Sequence, residues 1–144
     1  MKSRRDFIKK TAGVSAFLCC GMAGTSLLQS CGSVNQITAE IKDRSIRIGK
    51  AEFADNTYLV IVNMALPAPI YLHKVSEEEY TAFLMLCTHN DCELEATSKM
   101  LVCPCHGSEF DLKGEVTEGP AEKPLVEFDV VVSEKEIRID LNRK

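Results

Sequence analysis

Residues 87–108 carry the chemistry of this chain: Cys87-Thr88-His89-Asn90-Asp91-Cys92, ten intervening residues, then Cys103-Pro104-Cys105-His106-Gly107-Ser108. Each block pairs a cysteine with a histidine, Cys87 with His89 and Cys103 with His106, and adds a second cysteine, Cys92 or Cys105. Two thiolates and two neutral imidazoles form a metal site. They suit a tetrahedral structural zinc ion, or a [2Fe–2S] centre in which histidines replace cysteines on one iron. Spacing separates these readings. Zinc fingers usually place about two to four residues between paired ligands, whereas one residue separates Cys87 from His89. A zinc site also leaves Cys92 and Cys105 without a role. The iron–sulfur reading implies a protein that moves single electrons.

The pattern C-T-H-x-x-C followed by C-P-C-H-G-S is complete here, and the segment resembles the Rieske family of iron–sulfur proteins. The resemblance extends over about residues 45–141. It implies one [2Fe–2S] cluster, with Cys87 and Cys103 on the inner, all-sulfur iron and His89 and His106 on the outer one. It also implies a disulfide between Cys92 and Cys105, as in Rieske subunits of quinol-oxidising complexes. Gly119-Pro120-Ala121 is similar to the loop that covers the cluster from a third side, and Ser108 to a serine whose hydroxyl bonds a bridging sulfide. There are two departures. Phe110 stands where many high-potential members carry a tyrosine that bonds a ligand sulfur. Asn90-Asp91 replaces an apolar Leu-Gly tip. Both changes point to a lower potential, and the polar tip suits an apolar quinone pocket less well. His73, the remaining histidine, lies outside both blocks and is assigned no ligand role.

Short β-rich runs separated by turn signals must position these blocks, the pattern of a small all-β domain. Strands are expected over 45–48, 57–63, 69–75, 81–86, 94–97, 100–103, 109–112, 126–132 and 137–141. The run over 81–86 delivers Cys87 and His89, and the run over 100–102 delivers Cys103 and His106. Turns are expected at Asp55-Asn56, at residues 67–69 and at Lys113-Gly114, and Ser133-Glu134-Lys135 is expected to close a hairpin. Ser76-Glu77-Glu78-Glu79 carries a helix-capping signature but reads better as a charged connector. The resemblance implies a Rieske fold: a small antiparallel β-sandwich with a rubredoxin-like cluster-binding subdomain.

Ahead of this domain, residues 3–10 resemble a twin-arginine signal around Arg4 and Arg5. A mildly apolar stretch, 11–28, is interrupted by three glycines and falls short of the about 20 apolar residues a spanning helix needs. Leu28-Gln29-Ser30-Cys31 resembles a lipobox with Cys31 as the lipidated residue; an uncleaved signal anchor is the alternative. The expected organisation is a signal over 1–30, a lipid-anchored tether over 31–44 and the Rieske domain over 45–144, with residues 32–39 small and polar. Twin-arginine export carries folded proteins. A cluster inserted inside the cell and a disulfide formed outside it then account for every cysteine: Cys19 and Cys20 in the signal, Cys31 on lipid, two ligands and one bridge.

The first thirty residues hold five basic side chains against Asp6, a net of +4; the whole chain carries −4, which leaves −8 on residues 31–144. A domain that acidic is a poor nucleic-acid binder. The expected function is one-electron transfer as the iron–sulfur subunit of a quinol:cytochrome c oxidoreductase-type complex. It would face the periplasm, between a cytochrome b-type quinol-oxidising subunit and a c-type cytochrome acceptor, with a low-potential quinol such as menaquinol as donor. The alternatives are a small electron-transfer subunit of another exported oxidoreductase, such as an arsenite oxidase-like enzyme, and a standalone lipoprotein carrier. A Rieske oxygenase, which needs a second domain for its catalytic iron, is not expected at 144 residues.

Overall fold

The computed structural model describes residues 35–143. The expected signal, lipobox and first tether residues, Cys19, Cys20 and Cys31 among them, lie outside the described residues. Twelve strands follow one another: β1 (Gln36–Thr38), β2 (Ile41–Lys42), β3 (Ser45–Gly49), β4 (Tyr58–Val62), β5 (Ile70–Lys74), β6 (Tyr80–Leu84), β7 (Glu95–Ala96), β8 (Leu101–Val102), β9 (Glu109–Phe110), β10 (Val116–Glu118), β11 (Glu127–Val132) and β12 (Glu136–Arg143). The helical content among the described residues is one 3₁₀ turn, Lys50–Phe53. None of their helices is long and apolar enough to cross a membrane.

Eight strands form one sheet in the order β1-β4-β5-β6-β11-β12-β3-β2, and four form a second in the order β10-β9-β8-β7. The first two strands show that the large sheet curls. They are its opposite edges, yet only Ala39 and Glu40 separate them, so about 3.3–3.6 Å per residue limits the distance between those edges. Inside the curl pack Ile46, Ile48, Leu59, Ile61, Ile70, Leu72, Ile137 and Ile139. Each such side chain contributes about 1.5–3 kcal/mol when fully buried.

The period of two along β4, β5 and β6 explains how the small sheet is attached. Leu59, Ile61, Ile70, Leu72, Ala82 and Leu84 face the first core. The alternate residues Val60, Tyr71, Phe83 and the following Met85 belong to a second core, shared with Leu94, Leu101, Phe110, Ala121 and Leu125. Successive side chains point to opposite faces of a strand. These three strands are therefore apolar on both faces, one face serving the barrel-like body and the other the subdomain that carries the Cys/His blocks.

All nine expected strands are present, six of them with trimmed ends, while β3 and β12 run longer than expected and β6 starts and stops earlier, and the fold is all-β as expected. Residues 36–42 differ, because the tether expected over 31–44 contains β1 and β2. Ile37 and Ile41 pack against the first core, and Thr38 sits in parallel register with Val62. The short apolar alternation was hidden among small polar residues. Strand β10 was missed for a similar reason: Val116-Thr117-Glu118 is mostly exposed and is held by its partner β9. The acidic stretch after β5 is a connector, closed by the Val75 and Ser76 amides donating to the Glu79 carbonyl at 2.9 and 3.0 Å. Ser133 closes the β11–β12 hairpin, its hydroxyl donating to the Glu136 carbonyl at 2.8 Å.

Candidate metal centre

The two blocks form loops with the same backbone wiring. In the first, the Cys87 amide donates to the Cys92 carbonyl at 2.8 Å and the Asp91 amide donates back to the Cys87 carbonyl at 2.9 Å. In the second, the Cys103 amide donates to the Ser108 carbonyl at 2.8 Å and the Gly107 amide to the Cys103 carbonyl at 3.0 Å. Each cysteine thus opens a loop that closes on the residue five positions later. The residue four positions later takes a left-handed backbone, Asp91 at φ 51° and Gly107 at φ 78°. Glycine meets that requirement without a Cβ penalty, and aspartate tolerates it better than most residues. This is the physical content of the Asn-Asp departure: Asp91 occupies a position whose backbone favours glycine.

The loops hold the four candidate ligands at two depths. Cys87 and Cys103 are free thiols, each 1% exposed, within the second core. His89 and His106 are exposed, their ring centroids 4.9 Å apart and their planes at 89°. Burial pushes the Cys103 thiol up, but the backbone N–H groups of His106, Cys105 and Ser108, together with the Cys87 thiol, outweigh it and hold the thiol below its ordinary value. Amides converging on one buried sulfur stabilise an anion there. A soft, amide-lined, water-shielded sulfur site beside two exposed imidazoles fits a [2Fe–2S] cluster with mixed ligation.

Cys92 and Cys105 are joined by a disulfide across the two loops, Cα atoms 6.5 Å apart. The sulfurs of Cys92, Cys103 and Cys105 all lie within 4.8 Å of one another. Those three do not make a ligand set, because two of them are spent on the bridge.

A third segment closes over the loops. Ser108 is fully buried, and its Oγ accepts the Ala121 N–H at 3.0 Å, which leaves the hydroxyl proton free to donate toward the centre. The Thr88 hydroxyl donates to the Lys123 carbonyl at 2.6 Å, tying the first loop to the same segment. This contact was missed from sequence, although the threonine between Cys87 and His89 was its signal. Beside it lies an open cleft of about 460 Å³ lined by Thr88, His89, Pro120, Glu122 and Lys123. His73 is elsewhere, on β5, its ring parallel to Tyr71 at 6.1 Å.

Two substitutions test the surroundings of the centre. Ser108→Ala removes the hydroxyl that would donate to a bound cluster and strands the Ala121 N–H. The redox-dependent part of one such bond is about 1 kcal/mol, so the midpoint is expected to fall by about 40 mV in a redox titration. Phe110, fully buried in the second core with both thiols, offers no donor. Phe110→Tyr is expected to raise the midpoint by a similar amount with little change in Tm. A lower Tm at an unchanged midpoint would show the new hydroxyl stranded rather than bonded to sulfur.

The sequence profile of the Rieske [2Fe-2S] domain matches residues 46–129. The cytochrome b6-f complex iron-sulfur subunit 1 of Nostoc sp. is 39% identical over 61 residues, 40% of this chain and 34% of that protein. The cytochrome b6-f complex iron-sulfur subunit of Chlorobaculum tepidum is 30% identical over 63 residues, 42% of this chain and 35% of that protein. The matched stretch thus spans about a third of either relative. In three dimensions, the plasma membrane Rieske protein PetC3 from Synechocystis superposes with a TM-score of 0.55 at 28% identity, over 65% of this chain and 96% of that one.

Proposed function

The chain belongs to the Rieske [2Fe–2S] family and is an electron-transfer protein, and from that premise we propose that it serves as the iron–sulfur subunit of a quinol:cytochrome c oxidoreductase-type membrane complex. In this reading Cys87 and Cys103 bind the inner iron, and His89 and His106 the outer one. The observation that carries the reading is the two-level site, with buried sulfurs beneath two exposed imidazoles. The bound cluster supplies reversible one-electron chemistry, at a higher potential than four thiolates would give.

The chain's own groups do the rest. With the cluster bound, His89 and His106 would each use one ring nitrogen on iron and, being exposed, would hold the other ring nitrogen where it could hydrogen-bond to a quinol. The Cys92–Cys105 bridge and the Thr88–Lys123 contact fix both loops, so geometry changes little between redox states. Phe110, without a hydroxyl, and Asp91, with its nearby negative charge, favour a low-potential donor such as menaquinol. The likeness to cytochrome b6-f complex subunits supports a cytochrome as redox partner, and a c-type cytochrome acceptor is part of the proposal. The polar Asn90-Asp91 tip favours a second reading, a small subunit or lipoprotein carrier docking on another exported redox protein. Residues 1–30 as a twin-arginine signal and Cys31 as a lipid anchor complete the proposal and place the domain outside the cytoplasmic membrane. Intact-mass measurement of the membrane-extracted protein tests that part.

EPR-monitored redox titration tests the rest. The midpoint is expected to fall as pH rises, the mark of electron uptake coupled to proton uptake, and to lie above that of a menaquinone pool. A midpoint independent of pH, or one below the pool, overturns quinol oxidation.

A further inference from the structure

Three sulfurs stand together at the base of the two loops. Those of Cys92, Cys103 and Cys105 are within 4.8 Å of one another; Cys103 is a buried free thiol, Cys92 is half-buried and Cys105 is exposed. A thiolate beside a disulfide is the reactant pair of thiol–disulfide exchange. Cys87, the other free thiol, is outside this group of three. While Cys103 binds iron its sulfur is committed. Once the cluster is gone, that sulfur is no longer committed to iron and stands within 4.8 Å of both bridge sulfurs.

We propose that cluster loss turns the Cys92–Cys105 bridge into a lock, with Cys103 attacking it and taking the place of Cys105. The Cys103 thiolate forms a new bond to Cys92 Sγ as the Cys92–Cys105 bond breaks. The electron pair of the broken bond leaves on Cys105 Sγ, which takes a proton from water. One disulfide exists before and one after, and no oxidant or reductant is consumed. Attack at Cys92 is favoured over attack at Cys105 for two reasons. Departure of Cys105 puts the leaving charge on an exposed, hydrated sulfur. Attack at Cys105 would instead join two cysteines across the single residue Pro104 and leave the charge on half-buried Cys92. The product lacks one of the two inner sulfur ligands and cannot reload until a reductant reopens it. The order of assembly then becomes a requirement: cluster first, bridge second.

The proposal rests on Cys103 as a ligand for the protection of loaded protein, and the experiment separates the two claims. Full-length protein purified with its cluster is divided, and one part is stripped with an iron chelator and desalted to remove sulfide. Both parts are held at mildly alkaline pH without reductant; at each time stripped protein is labelled with excess N-ethylmaleimide in neutral denaturant and loaded protein is labelled folded at neutral pH, the reagent is removed, and both are mapped by fragment-ion mass spectrometry. In stripped protein the label is expected to move with time from Cys103 to Cys105, matched by a Cys92–Cys103 cross-linked peptide. Loaded protein should label neither residue. Iron and sulfide should restore the cluster only after reduction. A stripped protein that keeps Cys92–Cys105 intact, with Cys103 labelled or joined to Cys87, overturns the exchange. Labelling of Cys103 in loaded protein overturns its protection, whatever the stripped sample shows. Cys103→Ser should hold Cys105 unlabelled indefinitely; label there would show that the bridge opens without Cys103.

Discussion

Cys103→Ser is expected to yield a folded protein without its iron–sulfur cluster. The thiol is 1% exposed, with backbone amides of Cys105, His106 and Ser108 directed at its sulfur. A serine hydroxyl in that place stays protonated and is a poor partner for iron. It can still accept hydrogen bonds from the same amides, so those N–H groups are not stranded. The direct cost to the polypeptide is then about 1 kcal/mol. The first core, centred on Ile46, Ile61, Leu72 and Ile139, does not include Cys103. Iron content and the EPR signal should fall to background while the far-UV spectrum stays that of a β protein. Tm should match that of cluster-free wild type rather than loaded wild type, because the cluster stabilises only the form that binds it. His73→Ala is the control: a histidine on β5, outside both loops, whose loss should leave iron content unchanged. A stoichiometric cluster in Cys103→Ser would remove Cys103 from the ligand set.

How much of this was legible in sequence follows from where the information lies. The residue types at 87–108 suggest the chemistry directly, because Cys and His at this spacing are a recognisable metal-ligand pattern. The strands β4, β5 and β6 were legible as apolar runs, but their double-sided burial was not. Leu59-Val60-Ile61 and Ile70-Tyr71-Leu72 do not reveal from one chain which face meets which core. The matched wiring of the two loops was equally hidden, since Asp91 and Gly107 look unrelated until both are seen with positive φ. Strands β1 and β2 were missed because their apolar residues stand among small and charged neighbours, and β10 because it is mostly exposed. β1 is held by β4, distant in sequence, while β2 and β10 pair with their sequence neighbours β3 and β9, and in strands this short such pairing outweighs local propensity. Ser108 was expected from the family resemblance to donate to the cluster, while its acceptance of the Ala121 N–H needed coordinates.

Gly114→Ala is expected to destabilise the domain far more than its one added methyl suggests. Gly114 has φ 79°, in the turn where its amide donates to the Asp111 carbonyl at 3.0 Å and Asp111 Oδ1 accepts the Lys113 and Glu115 amides at 2.8 and 2.9 Å. An L side chain in that conformation costs about 1–2 kcal/mol. The Cβ would also lie 2.7 and 2.9 Å from two ring atoms of Phe83. That ring is 2% exposed on β6, where the large sheet meets the second core, so it has little room to tilt. Overpacking of this kind adds about 1–3 kcal/mol. The sum, about 2–5 kcal/mol, corresponds to a fall in Tm on the order of 10 °C or more, at about 4 °C per kcal/mol for a domain of this size. The Gly114 carbonyl also accepts the Leu125 amide at 2.9 Å, so displacing this turn pulls on the segment that covers the centre. The cluster should therefore be lost at a lower temperature too. A double-mutant cycle with Phe83→Leu separates the two causes. If the ring contact matters, the pair should cost less than the sum of the single substitutions by about 1 kcal/mol or more, within the range seen for residues in contact. Strict additivity would leave backbone strain as the whole cost and return Phe83 to an ordinary core residue.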